Sequence, residues 1–527
     1  MPDDRRTSAR DSRVRLADLV GVLSLAVDLG VGQPMEHVAR SCRLAWRLGD
    51  HIGLAERERV SLYYVAMLGW VGCIADSPRA TQWFGDDIEY RAGVYDLDMK
   101  PLPFLGYLLR HAGAGQPPLQ RAAKGALVLA DGGRGVQDSL RTHCQVSSTI
   151  AARLGLGEDV TGPLSQIFAR WDGKGLPARL GGTAIALTVR LWQLSDVVEV
   201  HHHRAGVRAA VDVARARRGG QFDPHLVDVF VEHAAELLEP GEGDASWTDL
   251  VAAEPALRVS LTEGELDRTL EVFADYADVK SPYLRGHSRG VAVLAAAAGE
   301  RLGLDQEEVV RLRRAALLHD LGRTGVPNTI WDKAGPLSAG ERERLRLHAY
   351  YTERMLCRPP IPPEVGTLAA AAHERLDGSG YHRGLSGEAL SMPARVLAAA
   401  NCFHAMLEPR PHRPMRTRSE AVQVLEEESR AGRLDATAVD AVLACAGHRA
   451  RRPPRGPAGL TPREVEVLAL LARGATNRQI GRRLGIAPNT VGKHLEHAYA
   501  KTGVSGRAAA TLFAMQHGLV RTLDRDT

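Results

Sequence analysis

Four histidines and one aspartate in the second half of the chain have the types and spacing that a metal centre needs. They lie on, or directly after, three apolar patterns of helical period: His287, the pair His319-Asp320, His348 and His373. Burying this many imidazoles beside a carboxylate costs free energy unless something charged binds them. A lone histidine on an apolar face is usually a satisfied core residue, but this set predicts a divalent-metal site.

The stretch HERLDGSGYH at 373–382 adds a loop to this set. His373 and Glu374 form an ionisable pair, and the following turn, Asp377 to Gly380, contains two glycines. Such a turn lets backbone approach a ligand closely. The residue before the pair is Ala372, where a second metal-binding side chain would be useful.

Helices must position these residues. The chain has 527 residues, too many for one core, with 44% hydrophobic and only 5% aromatic residues. Abundant Ala, Leu and Arg favour an all-α fold. Six scattered cysteines without a Cys-x-x-Cys pair favour a reducing, cytoplasmic location. The sequence has no apolar leader and no apolar run of membrane-spanning length, so we expect no membrane partner.

The net charge of +4 is uneven along the chain. Residues 451–527 hold 13 Lys and Arg against 5 Asp and Glu, a net charge of +8, so the preceding residues carry −4. A basic end on a slightly acidic body indicates nucleic-acid binding by that end. A solvated basic surface is the alternative.

Two stretches of the first half are similar to stretches of the second. ARWDGKGLP (169–177) parallels ERLDGSGYH (374–382) at an offset of 205, and VAMLGWVGC (65–73) parallels AALLHDLGR (315–323) at an offset of 250. This pattern predicts two related helical domains, the first with about 45 extra residues between 74 and 168. The predicted organisation is a disordered N-terminus 1–13, a helical domain 14–240, a linker 241–257, a helical domain 258–447, a Pro/Arg-rich linker 448–457 and a C-terminal module 458–527.

The second domain resembles the HD-GYP branch of the HD phosphohydrolases over about 280–415, and the first resembles it faintly. The resemblance implies divalent metal, iron, manganese or similar, that activates water and clamps a phosphodiester. It implies these metal ligands: His287, His319, Asp320, His348 and His373. It further implies that Arg410 and Arg413 grip ligand phosphate. If the site is active, His319, Asp320 and Arg323 are its catalytic residues.

The second domain departs from the family pattern at four positions. Ala372 stands where a ligating histidine is expected and Asn401 where an aspartate is expected. Arg323 replaces a lysine and His382 replaces the proline of the GYP motif. Because two of seven ligand positions are lost, we expect at most one firmly bound metal. Binding of a phosphate-bearing nucleotide is expected to persist, with feeble or absent hydrolysis of cyclic di-GMP.

The first domain departs further. Gly69 and Trp70 stand where the second domain has its His-Asp pair, so we expect Trp70 to fill the former metal cavity. His37 and Asp196 remain but are expected to be isolated. We interpret 14–240 as a structural or dimerising copy; an unrelated helical bundle is the alternative.

The C-terminal stretch resembles the LuxR-type helix-turn-helix over nearly all of 458–520, with four helices expected. The resemblance implies double-stranded DNA as partner and a recognition helix that begins at Pro488. It implies these DNA-binding residues: Arg478, Arg482, Arg483, Asn489, Thr490 and Lys493. Ala487 and Gly492 depart from the usual cap and the usual basic residue.

The sequence therefore predicts a cytoplasmic, homodimeric transcriptional regulator with tandem HD-GYP-like domains and a DNA-binding tail. One alternative is an active metal-dependent phosphodiesterase, acting on a cyclic dinucleotide or another nucleotide, whose tail binds DNA. The other is a non-catalytic dimerisation scaffold without metal.

Overall fold

The computed structural model describes residues 14–98, 100–131, 133–176, 179–239, 247–447, 457–504, 506–517 and 519. The predicted N-terminal segment 1–13 and residues 448–456 of the second predicted linker lie outside them. Within the described residues the elements are α-helices and short 3-10 turns, with only isolated β-bridges. The prediction of an all-α fold is confirmed.

The first half contains eleven of the described α-helices. They are α1 Leu16–Gly30, α2 His37–His51, α3 Glu56–Leu68, α4 Ser77–Phe84, α5 Asp87–Val94, α6 Pro101–His111, α7 Pro118–Asp131, α8 Arg134–Arg153, α9 Glu158–Leu164, α10 Leu187–Arg217 and α11 Pro224–Leu238.

The remaining described helices continue in chain order. They are α12 Trp247–Ala253, α13 Glu263–Val279, α14 His287–Arg301, α15 Gln306–Leu318, α16 Asn328–Trp331, α17 Ala339–Leu356, α18 Pro363–Ala370, α19 Met392–Met406, α20 Arg418–Arg430, α21 Ala436–Cys445, α22 Pro462–Ala472, α23 Asn477–Leu484, α24 Pro488–Thr502 and α25 Arg507–Gln516.

Local sequence explains where many of these helices begin. A capping box, in which a Thr, Ser or Asp side chain and a Glu or Gln three residues later satisfy free backbone N–H groups, opens six of them. These helices are α13, α15, α17, α20, α22 and α23. Each cap contributes about 1 kcal/mol.

The described residues as far as Gly447 form one compact unit, and those from Pro457 onward form a second. Residues 247–257, which were predicted as linker, instead contain α12, and Leu250, Val251 and Leu257 are buried in the core of the first unit. Their apolar side chains explain why this stretch packs in place of remaining extended. The division into domains 14–240 and 258–447 remains a prediction.

In each half of the first unit, a glycine packs closely against a neighbouring helix. After α3 and after α15 the chain forms 3-10 turns, Val71–Asp76 and Leu321–Gly325. A Cβ on Gly72 would lie 2.2 Å from the carbonyl oxygen of His143, and one on Gly322 would lie 2.1 Å from that of His348. Only glycine permits this approach to α8 and to α17.

The two halves differ in the helices that come after these turns. Four helices, α4 to α7, precede α8, whereas only the single-turn α16 precedes α17. Helices α4 to α7 lie within the interval 74–168, where the repeat hypothesis predicts extra residues; the repeat itself remains a prediction.

A buried ionic cluster joins the two halves. The Asp87 carboxylate on α5 accepts hydrogen bonds from Lys280 Nζ (3.0 Å), Arg91 Nη1 (2.9 Å) and the Asn328 backbone N–H (2.8 Å). Asp87 and Lys280 are fully buried. Burial would raise the pKa of Asp87, but the two cations hold it at about 2. The carboxylate is therefore ionised and neutralises cations from both halves.

One stretch, Glu56–Phe84, has the length and hydropathy of a membrane span. Its most apolar window is 72% buried inside the fold, and Leu62, Val65 and Leu68 are fully buried in the main core. This is the pattern of a core helix.

The second unit has its own core. Leu468 on α22, Ile480 on α23 and Val491 on α24 are fully buried. Gly485 has a φ of 69° and ends α23, and Lys501 Nζ pairs with Glu464 Oε2 at 2.8 Å. This ion pair ties α24 to α22, so Lys501 acts in packing.

The buried cluster yields a stability prediction. Asp87→Asn removes the carboxylate and leaves Lys280 buried without a counter-ion, which is expected to lower the free energy of unfolding by about 3–5 kcal/mol. Chemical denaturation of the full chain measures this. The matched control is Asp138→Asn, because the Asp138–Arg141 pair is more than half exposed and is expected to contribute about 1 kcal/mol or less. Equal losses in the two variants would contradict the prediction.

Candidate metal centre and DNA-binding surface

The carboxylate of Asp320 lies at the centre of the predicted metal site. Asp320 directly follows His319, the residue that caps the C-terminus of α15, and is fully buried. His287 is the first residue of α14, His348 lies on α17, and His373 lies in the turn after α18. The structure brings all five predicted ligands together from separate elements.

Each oxygen of Asp320 faces a pair of imidazoles. Oδ2 lies 3.4 Å from His287 Nε2 and 3.0 Å from His319 Nε2. Oδ1 lies 3.6 Å from His348 Nε2 and 3.4 Å from His373 Nε2. Two possible ligand groups thus share one bridging carboxylate.

Second hydrogen bonds set the protonation of these rings. His319 Nδ1 contacts the Ala316 carbonyl oxygen at 2.7 Å, and His348 Nδ1 contacts that of Leu345 at 2.6 Å. Because a carbonyl only accepts, each Nδ1 donates the hydrogen bond, and each Nε2 atom is directed toward the site. His287 Nδ1 likewise faces a carboxylate, Glu408 Oε1, at 3.0 Å.

The protonation states suit a cation. Burial lowers the pKa of His287 and of His373 to about 4, and it lowers the pKa of His348 well below its usual value. Burial would raise the pKa of Asp320, but the Arg323 guanidinium holds it well below its usual range. Neutral imidazoles around an ionised carboxylate are the forms that ligate divalent metals.

Whether a metal fits the site depends on which atoms converge there. Around Oδ2 of Asp320, His287 Nε2 and His319 Nε2 present lone pairs, and Asn401 Oδ1 lies 3.1 Å from His287 Nε2. His319 Nε2 is buried without a hydrogen-bond partner in the described part of the chain. Arg323 Nη2 approaches Asp320 Oδ2 as a donor, whereas the two Nε2 atoms and the Asn401 oxygen converge as acceptors, and a cation between them relieves their repulsion. The residues therefore fit a divalent metal.

The two substituted positions are neighbours in space. Asn401 Nδ2 contacts the Ala372 carbonyl oxygen at 3.4 Å, and the Ala372 side chain is buried against the core. Ala372 supplies no ligand atom, while Asn401 supplies a neutral oxygen in place of a charged one. That the ligand set has lost one imidazole and one negative charge relative to the family remains a prediction.

The loop 373–382 is held by Glu374, whose carboxylate is directed away from the metal ligands. Its two oxygens accept from the backbone N–H groups of Arg383 (2.9 Å) and Leu385 (3.0 Å). A Cβ on Gly380 would lie 2.4 Å from Glu374 Cα, so glycine is required at that position. The loop thereby holds Tyr381, whose hydroxyl lies 3.2 Å from His373 Nδ1.

The three predicted phosphate-facing or catalytic arginines have different surroundings. Arg323 Nη2 lies 2.6 Å from Asp320 Oδ2, and its Nε and Nη1 have no hydrogen-bond partner among the described residues. Arg410 Nη2 pairs with Glu408 Oε2 at 2.8 Å. Arg413 donates to the carbonyl oxygens of Ala405, Met406, Glu408 and Pro414 beyond α19. Arg413 thus caps a helix end, and its contact with phosphate remains a prediction.

Sequence reasoning missed two residues beside the site, His404 and Glu408. Glu408 Oε1 contacts His287 Nδ1 and His404 Nδ1 (2.9 Å), so it orients a predicted ligand. His404 lies in the last turn of α19, whereas Glu408 follows the end of that helix and precedes Arg410 by two positions. The closeness of Glu408 in sequence to the predicted arginine was the available signal.

The corresponding place in the first half holds an ionic cluster and aromatic rings. His37 Nε2 contacts Asp196 Oδ1 at 3.0 Å, and His37 Nδ1 contacts Glu199. The expectation that His37 and Asp196 are isolated is wrong. Burial would lower the pKa of His37, but the two carboxylates raise it to about 10, so the imidazole is itself the buried cation.

Trp70 occupies the space beside this pair, as expected. Its Nε1 donates to Asp196 Oδ2 at 3.0 Å, and its ring packs against Tyr95, Phe168 and Trp192. His143, 205 residues before His348, was also missed; its Nε2 donates to the Gly69 carbonyl oxygen at 2.7 Å. The offset of 205 between the parallel stretches 169–177 and 374–382 was the available sequence signal for His143.

The predicted DNA-binding residues lie on one stretch of the second unit. All six side chains are exposed, on α23 (Arg478, Arg482, Arg483) and in the first turns of α24 (Asn489, Thr490, Lys493). Pro488 occupies the first turn of α24, and Ala487 provides no side-chain cap. A Cβ on Gly492 would meet nothing within 4 Å, so packing does not require that glycine.

Comparison with known proteins agrees with this geometry. An HD-domain family model matches residues 271–438, and the model of bacterial regulatory proteins of the luxR family matches 458–514. The 3'3'-cGAMP-specific phosphodiesterase 3 of Vibrio cholerae is 30% identical over 416 residues, which cover 78% of this chain and 90% of that protein. This chain belongs to the HD-domain family of cyclic dinucleotide phosphodiesterases. Its residues 458–514 are a LuxR-type helix-turn-helix DNA-binding domain.

Two further relatives of this HD family show how far the likeness extends. A crystal structure of a cyclic GMP-AMP-specific phosphodiesterase of V. cholerae matches with a TM-score of 0.58 at 28% identity, over 82% of this chain and 98% of that chain. A cyclic di-GMP phosphodiesterase response regulator of Xanthomonas campestris is 38% identical over 153 residues, 28% of this chain and 40% of that protein. The likeness to V. cholerae proteins thus includes the first half.

Restoring the two lost ligands tests the metal site. The double variant Ala372→His with Asn401→Asp adds one imidazole and one negative charge, and we expect metal content to rise from at most one to about two ions per chain. Elemental analysis of purified protein measures this, with each single variant as a control of intermediate effect. Unchanged metal content in a variant with unchanged thermal unfolding would contradict the prediction.

Proposed function

We propose that this protein is a DNA-binding regulator whose HD domain binds a cyclic dinucleotide at a divalent-metal centre. The observation that carries the proposal is the shared carboxylate of Asp320, whose two oxygens each face a pair of imidazoles. A metal bound there attracts phosphate oxygens and polarises phosphorus. The DNA-binding domain on the same chain supports a regulatory output.

Phosphate recognition is assigned to the arginines beside Asp320. Arg323 Nε and Nη1 are buried donors without partners in the described region. The Arg323 guanidinium carbon lies 5.0 Å from the centroid of the Trp331 ring, and this contact helps to orient the guanidinium. Guanidinium groups bind phosphate through paired N–H donors. An ion pair with Glu408 holds the Arg410 guanidinium in place. A diester with two phosphates suits these two separated cations.

We infer that at most one metal is firmly held. Asp320 is the single carboxylate that faces the Nε2 atoms in the described site, and Arg323 already places a positive charge 2.6 Å from its Oδ2. Two dications about 4 Å apart repel strongly without a second anionic bridge. We therefore propose that this protein binds the cyclic dinucleotide and hydrolyses it only feebly.

Hydrolysis at ordinary enzymatic rates is the second candidate. Two groups of possible metal ligands share the Asp320 carboxylate. This arrangement favours hydrolysis, because two-metal sites hold the attacking and leaving oxygens of a phosphodiester. The activities named for the V. cholerae and X. campestris relatives point the same way.

We also propose that residues 14–240 are an altered copy of the HD domain. Gly72 N–H donates to Ser147 Oγ at 3.1 Å, and Gly322 N–H donates to Thr352 Oγ1 at 2.9 Å. The serine and the threonine are 205 residues apart, as are the stretches 169–177 and 374–382, and the two glycines are 250 apart, as are 65–73 and 315–323. In the altered copy, protonated His37 and the Trp70 ring take the place of a metal.

Ligand binding distinguishes the candidates. The full chain with Mn²⁺ is expected to bind 3'3'-cGAMP or cyclic di-GMP in calorimetry, and His319→Ala is expected to weaken binding about tenfold or more by removing a metal ligand. His412→Ala, an exposed imidazole outside the ligand groups, is the control. Metal-independent binding would contradict the proposal. Turnover near 1 per second or faster that His319→Ala abolishes would replace it with the hydrolytic candidate.

DNA binding is expected to depend on salt. The full chain is expected to bind duplex DNA, most tightly as a homodimer on paired half-sites, with log K falling by about 0.9 per log unit of salt for each phosphate neutralised. Lys493→Ala is expected to weaken binding more than Arg525→Ala, since Lys493 lies on the recognition helix. Fluorescence anisotropy measures affinity and footprinting measures the site. Salt-independent affinity or a single half-site footprint would contradict this prediction.

A further inference from the structure

The first half contains a cavity that the HD centre does not use. Its volume is about 750 Å³, and all of its lining residues precede Phe222 in sequence. Helices α4 to α7 supply much of its wall, so it belongs to the segment that the second half lacks. The volume lies within the range of about 300–1,000 Å³ that small-molecule sites occupy.

Aromatic rings are concentrated around this cavity. The chain contains 8 Phe, 11 Tyr and 7 Trp, and eight of these 26 residues line the cavity. They include Trp70, Trp83, Tyr95, Phe104, Phe168 and Trp192. In a chain with only 5% aromatic residues, this concentration provides flat apolar walls that favour a ligand with an apolar or ring-containing body.

One buried cation on the wall lacks a counter-ion. Arg217 is 5% exposed, and it donates to the Tyr95 carbonyl oxygen (2.7 Å) and to Gln221 Oε1 (3.2 Å), both neutral. No carboxylate of the described residues lies within ion-pair distance of it. The other buried arginines of the wall differ, because Arg91 pairs with Asp87 and Arg170 pairs with Asp98. An uncompensated buried charge is costly and favours an anionic ligand group.

A second donor on the wall also lacks a partner. Trp192 is 2% exposed, and within the described chain its Nε1 has no hydrogen-bond acceptor. A buried N–H without an acceptor is destabilising, and a ligand oxygen that accepts from it removes this cost. A guanidinium and an indole N–H on the same apolar wall thus offer donors for one anionic group and one further acceptor.

We propose that this cavity binds a small apolar organic acid, with an aromatic or acyl body among the rings and a carboxylate or sulfonate paired with Arg217. Trp70 and Asp196 lie on the wall of the cavity, which extends from them to helices α4 to α7. The proposal goes beyond the HD function and does not depend on it. It makes the first half a ligand-binding domain in its own right.

The test uses two fluorescent probes of similar body and different charge. These are 8-anilinonaphthalene-1-sulfonate and the neutral N-phenyl-1-naphthylamine, titrated into the full chain, with dodecanoate as a non-aromatic competitor. The cavity-filling variant is Val128→Phe, because Val128 is buried on α7 and lines the cavity. The matched control is Leu119→Phe on the same helix, at a side chain that is 84% exposed. Thermal unfolding of each variant checks its fold.

The expected result is saturable binding of the sulfonate at one site per chain, with dodecanoate displacing it. Val128→Phe is expected to weaken both probes, and Leu119→Phe neither. Arg217→Gln is expected to weaken the sulfonate about tenfold or more, the loss typical of a charged hydrogen bond, while the neutral probe stays within about twofold. Arg217→Lys retains the charge and is expected to restore part of the affinity.

Three outcomes would overturn the proposal. The first is no saturable binding of the sulfonate or dodecanoate to the wild-type chain. The second is binding that Val128→Phe leaves unchanged, which would place the probes elsewhere on the surface. The third is equal loss of both probes in Arg217→Gln with no restoration in Arg217→Lys, which would show that Arg217 acts only on the fold.

Discussion

The burial of one ionised carboxylate governs the second half of this protein. Asp320 is fully buried, the Arg323 guanidinium compensates its negative charge, and four imidazoles face its two oxygens. Those side chains come from α14, the end of α15, α17 and the turn after α18, so the helices must converge on a single point. The glycine at 322 permits that convergence by letting the turn after Asp320 touch α17. The proposed ligand chemistry depends on the same arrangement.

The first half compensates its buried carboxylates with other groups. Protonated His37 lies between two carboxylates, and Trp70 donates to Asp196. An imidazolium and an indole thus satisfy anions that a metal would otherwise neutralise. The Trp70 ring also lines the large cavity, so this ionic cluster and the apolar volume lie side by side.

The two halves act as one body because charge is buried between them. Asp87 belongs to α5, whose Arg91 lines the cavity, and it also holds Lys280 and the start of α16. Trp331 at the end of α16 contacts the Arg323 guanidinium. The wall of the cavity and the HD centre are therefore linked through Asp87, helix α16 and Trp331.

The sequence by itself determined the all-α fold, the DNA-binding domain and the five residues around Asp320, because helical periodicity and local caps depend on neighbours in sequence. It also determined that Ala372 and Asn401 cannot supply a ligating imidazole and carboxylate. Only the tertiary structure decided that Asp320 faces two pairs of imidazoles, that His37 and Asp196 touch, and that Arg413 caps a helix. It also revealed the cavity beside Arg217. These features depend on distances between elements far apart in the chain, which side-chain packing and buried charge set together and which no local pattern encodes.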